Sequence, residues 1–73
     1  MNQDASNIRI RLNGQDRDIP GGRSVQDLLV SLDLRPELVV VERNREILDR
    51  ARYPEVVVEE GDSLELVHFV GGG

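Results

Sequence analysis

The alternation Ile8-Arg9-Ile10-Arg11-Leu12, cut off by Asn13-Gly14, constrains this chain more than any other stretch. Apolar and charged residues in strict alternation put all the apolar side chains on one face of a strand. Asn-Gly then supplies the two positive-φ positions of the tightest hairpin turn. The chain is expected to double back there, with the return strand running from about 15 to 19. Its 73 residues allow one small domain and no second core. At this size burial barely outweighs chain entropy, so every element has to agree with its neighbours.

The period changes after Pro20-Gly21-Gly22. Val25, Leu28, Leu29 and Leu32 fall at i, i+3, i+4 and i+7, the apolar stripe of a helix. Ser24 is the expected N-cap, and Asp27 stands where a capping box carries Glu or Gln. The helix is read as about three turns, ended by Arg35-Pro36, because the residue before proline is pushed out of the α region. A β-branched strand over about 38–42, a turn at 43–45 and a short strand over 46–48 follow. Tyr53-Pro54 argues against regular structure, and 56–58 is read as a short strand or a buried loop. Gly61-Asp62 is a turn before the last strand, which has Leu64 and Leu66 on one face and Glu65, Val67 and Phe69 on the other. Strand, strand, helix, strand, short strand, strand is the β-grasp order in the α+β class: a mixed sheet of about five strands with one main helix on one face. The first and last strands are expected side by side and parallel at the centre. The opposite face of the sheet is left for solvent or for binding.

Composition narrows the function classes. The net charge of −5, with no basic stripe, argues against binding nucleic acid through its phosphates and favours a partner with a basic patch. There is no Cys, hence no disulfide, thiolate metal site or cysteine nucleophile, which fits a reducing cytoplasm. No apolar run is long enough for a bilayer, and the polar residues 1–6 read as a frayed end rather than a signal peptide. All nine basic residues are Arg, which excludes Schiff-base chemistry through Lys. Compositional bias explains this, as does protection of an activated C-terminus from amine attack.

Candidate chemistry is sparse. His68 is the only histidine, so a multi-histidine metal site is excluded. Glu59, Glu60 and Asp62 have the oxygens for a hard cation, but a solvated turn is the plainer reading, and no metal site is expected. Gly21-Gly22 has neither the spacing nor the Lys of a phosphate loop. Val67 and Phe69 are more informative. They point to the face the helix leaves open, where either a loop covers them or a partner does. The chain then runs Val70, Gly71, Gly72, Gly73. Glycine holds a backbone poorly, so residues 71–73 read as a flexible tail. Without side chains such a tail threads a narrow channel and presents the Gly73 carboxylate to another protein's active site. A carboxylate is a poor acyl donor until ATP adenylates it.

The stretches IRLNG, SVQDLLVSL, VVVERNREIL and above all GDSLELVHFVGGG resemble the ThiS family, the ubiquitin-like sulfur carriers of thiamine biosynthesis. The resemblance covers nearly the whole chain after residue 7, although Tyr53 stands where many relatives carry tryptophan. It implies a carrier with no catalytic residue and no cofactor of its own. An adenylating enzyme of the ubiquitin-activating type, using ATP and magnesium, would activate the Gly73 carboxylate. A persulfide would then displace AMP, and the resulting thiocarboxylate would serve thiazole synthase. Gly71 and Gly72 would extend the tail, and Val67, Phe69 and Val70 would guide it into its partners. The small subunit of molybdopterin synthase, or a carrier for another sulfur pathway, shares this fold and end. A ubiquitin-like conjugation or interaction module is the alternative of a different class.

Overall fold

The computed structural model describes residues 7–69. The expected frayed segment 1–6 and the tail 71–73 lie outside the described residues. β1 (Asn7–Leu12) and β2 (Gln15–Pro20) form the hairpin, with Ile8 opposite Ile19 and Leu12 opposite Gln15. Asn13 and Gly14 take φ of 51° and 83°, the left-handed pair that Asn-Gly tolerates. α1 (Val25–Ser31) starts on the expected capping box. Ser24 Oγ accepts from the Asp27 N–H at 3.0 Å, and the Asp27 carboxylate accepts from the Ser24 N–H at 3.3 Å.

The helix is shorter than its apolar stripe predicts. It has seven residues, about two turns, and stops before Arg35-Pro36 is reached. Asp33 adopts φ of 61° and closes the end: its N–H donates to Val30 O, and the Leu34 N–H donates to Leu29 O, both at 3.0 Å. This is the Schellman pattern with aspartate in the place glycine usually takes. Pro36 instead opens a 3-10 turn over Pro36–Leu38. The next strand, β3 (Val39–Arg43), therefore begins one residue later than expected. β4 (Glu46–Ile47) turns back along it, and β5 (Ser63–His68) is the last strand.

The sheet order is β2-β1-β5-β3-β4, with β5 central, parallel to β1 and antiparallel to β3. The β-grasp arrangement and the parallel pairing of first and last strands are thus as the sequence predicts. One face of the sheet meets α1. Ile10, Leu12, Ile19, Val39, Val41 and Leu64 from the strands enclose Val25, Leu28 and Leu29 from the helix. Residues 56–58 form a loop, not a sheet strand. Val57 makes a single bridge to Ser24, while Val56 and Val58 turn inward to the core. Tyr53, 1 % exposed, joins the same core from beyond a 3-10 turn over Arg50–Arg52. No helix among the described residues is long and apolar enough to cross a membrane.

Candidate functional site

The pleat sends alternate residues of each strand to opposite faces, and the burial of Leu64, Val39 and Val41 fixes which face is the core. On β5 this leaves Ser63, Glu65 and Val67 on the open face, with Phe69 just beyond the strand. On β3 it leaves Val40 and Glu42. The register sets Val40 opposite Val67, Glu42 opposite Glu65, and Ile47 of β4 opposite Glu42. Ile47, Val67 and Phe69 are 70 %, 53 % and 55 % exposed. No described loop covers them, so the reading of an exposed patch at Val67 and Phe69 holds. Val40, Glu42, Arg45, Ile47, Glu65 and Val67 line a groove of about 530 Å³ on this face.

The other half of the open face is polar. Arg9 pairs with Asp18 at 2.9 Å and Arg11 with Asp16 at 3.9 Å, both across the β1–β2 register. The hydrogen bond from Arg9 holds the Asp18 carboxyl below its ordinary range. The uncovered surface is therefore divided into an ion-pair ladder on β1–β2 and a groove of mixed aliphatic and charged side chains on β3–β5.

In the acidic turn before β5, Glu59 and Glu60 are exposed, as the solvated-turn reading expects, but Asp62 is not. Asp62 is 6 % exposed. Its carboxylate accepts from Arg43 Nε at 2.9 Å, Asn44 Nδ2 at 3.1 Å and the Glu59 N–H at 2.9 Å. Burial pushes this carboxyl up, but the three donors and the Arg43 charge outweigh it, and the net shift is downward. Glu60 accepts from the Arg9 N–H at 3.0 Å. These oxygens are committed to the fold, and no group of three or more metal-ligating side chains occurs among the described residues.

Val67 and Phe69 lie at the end of the central strand, where the Phe69 N–H donates to Leu38 O at 2.9 Å. Val70, Gly71, Gly72 and Gly73, the remaining candidate positions, lie outside the described residues. His68 stands opposite Val39 and is exposed. The sequence reading missed Val40, Glu42, Arg45 and Ile47 as parts of the open face. Val39-Val40-Val41 is an unbroken apolar run, so β3 shows no alternation that would mark which side chains face away from the core. Ile47 sits in a two-residue strand too short to show a period.

Comparison with known proteins agrees with this geometry. The model of the ThiS family matches residues 10–73. The sulfur carrier protein ThiS of Bacillus subtilis (strain 168) is 46 % identical over 65 residues, covering 88 % of this chain and 98 % of that protein. A thiazole synthase of Magnetococcus marinus is 42 % identical over 66 residues, 90 % of this chain. The chain spans only 20 % of that synthase's length. The crystal structure of a thiamine biosynthesis protein (ThiS) from Geobacter metallireducens superposes with a TM-score of 0.75 at 33 % identity, covering 90 % of this chain and all of that one. The same sheet, the same single helix and a match that runs on through the glycines place this chain in the ThiS family.

Proposed function

We propose that this chain carries sulfur to thiazole formation in thiamine biosynthesis, with the Gly73 carboxylate as the carrying group. The observation that supports this most is the position of Val67 and Phe69. They form an exposed apolar docking surface at the end of the central strand, and the four residues to Gly73 follow directly. Fully extended, four residues reach about 14 Å, enough to pass the carboxylate into a partner's active site while the body stays docked outside.

The chemistry follows from the carboxylate's poor reactivity. One of its oxygens attacks the α-phosphorus of ATP in an adenylating partner of the ubiquitin-activating type. Pyrophosphate leaves, with magnesium screening the phosphate charge. A persulfide sulfur on a donor protein attacks the acyl carbon and AMP leaves. A thiol then cleaves the S–S bond, which releases the thiocarboxylate and leaves a disulfide on the donor side. The thiocarboxylate passes its sulfur to thiazole synthase. Relatives that are themselves named thiazole synthase contain a segment like this chain, which favours that acceptor over a molybdopterin one. The chain supplies no catalytic residue in this scheme, and the reaction belongs to the cytoplasm.

Intact mass spectrometry of the untagged protein, after incubation with the adenylating enzyme, ATP-Mg and a persulfide donor, tests the reading. A gain equal to replacing one oxygen by sulfur, placed at Gly73 by fragmentation, is expected. An unchanged mass under those conditions would sink it.

A further inference from the structure

Four cross-strand positions in the sheet set one charged residue directly opposite another: Arg9–Asp18, Arg11–Asp16, Arg43–Glu46 and Glu42–Glu65. The first three join opposite charges. Only Glu42 and Glu65 set like charges face to face, at a spacing where such pairs destabilise a sheet. Among the described residues, neither carboxylate lies within 4 Å of a basic side chain. Arg45 lines the same groove from the β3–β4 turn without reaching either one. The facing glutamates are flanked by Val40 and Val67 on one side and by Ile47 on the other. An opposed carboxylate pair bordered by aliphatic side chains has a specific complement. A guanidinium is planar, offers donors to two carboxylates at once, and carries an apolar stem to lie along such a border.

We propose that the Glu42–Glu65 pair is the recognition element of the groove and receives an arginine side chain of the adenylating partner. The inference rests on the carrier reading above and adds the chemistry of the contact. In the free chain the two carboxylates repel each other. The incoming guanidinium sets one positive charge between the two, so docking relieves the repulsion that the isolated fold carries. The apolar patch supplies contact area, while the glutamate pair sets the register in which Phe69 and the residues after it meet the active site.

The test uses the full chain carrying Glu42→Gln and Glu65→Gln together, in ATP-dependent pyrophosphate release by the adenylating enzyme. The melting temperature is expected to rise, because the repulsion is gone. KM for the carrier is expected to rise about tenfold with kcat unchanged, and its dependence on salt to weaken. A control with Glu55→Gln and Glu59→Gln makes the same change in net charge outside the groove and is expected to move KM by less than about twofold. A lowered melting temperature in the groove variant, or a KM no different from that of the control, overturns the inference and leaves the carrier reading standing. If the wild-type chain releases no pyrophosphate with the enzyme and ATP-Mg, the carrier reading fails and this inference falls with it.

Discussion

The Tyr53 hydroxyl donates to Val39 O at 2.7 Å and accepts from the Val41 N–H at 3.2 Å. One side chain thereby satisfies two backbone groups of β3 that β4, only two residues long, does not reach. Tyr53→Phe keeps the ring and removes the hydroxyl partner of both buried groups. Val39 O retains only a 3.4 Å bond from Arg50 Nη2. A loss of about 1–3 kcal/mol is expected in urea unfolding, and an unchanged midpoint would refute this role. Asp62 has a comparable duty at the other end of β3. Its folded pKa lies below the ordinary aspartate value of 3.8. The stability it contributes is therefore complete above that value and is lost as pH falls through the lower folded one. Asp62→Asn is expected to lower stability at neutral pH and to flatten the acid side of the profile below about pH 4; parallel profiles for variant and wild type would contradict this. Neither role was legible in the sequence. The partners of Tyr53 lie 12 and 14 residues away and those of Asp62 up to 19, so no local pattern marks them.

At the scale of elements, the legible features were those whose physics is local. Asn13-Gly14 names its own turn, and Ser24 with Asp27 names a helix start, because the residues that bond are neighbours. Ser24→Ala removes the cap and is expected to cost about 1 kcal/mol in thermal or chemical unfolding; no measurable change would show that the cap is dispensable. The end of α1 was misjudged because its C-terminal signal is Asp33 rather than glycine. A left-handed L-residue costs about 1–2 kcal/mol, so Asp33→Gly is expected to raise stability by up to about 1 kcal/mol once glycine's greater unfolded-state freedom is subtracted. A drop in the unfolding midpoint would mean that the Asp33 side chain itself holds the turn.

For the whole molecule, the fold and the work are carried by different residues. The described body, 7–69, holds the core, and the proposed sulfur-bearing atom lies beyond it. Deleting Gly72 and Gly73 is expected to leave the melting temperature unchanged and to abolish thiocarboxylate formation, read by calorimetry and by mass. A large fall in melting temperature would instead give the glycines a structural role. Strand alternation was enough to assign Val67 and Phe69 to the open face. The Glu42–Glu65 pair was not legible, because it exists only once the β3–β5 register is set. The central place of β5 has one more consequence. The β1–β2 ribbon and the β3–β4 ribbon share no strand edge among the described residues, and within the sheet they are joined only through β5. Until the ribosome has made residues 63–68, the emerging polypeptide holds two ribbons with no strand to pair them into one sheet. Such long-range pairing is also slow to form. A nascent chain cut short before β5 therefore lacks the one strand that would close its sheet.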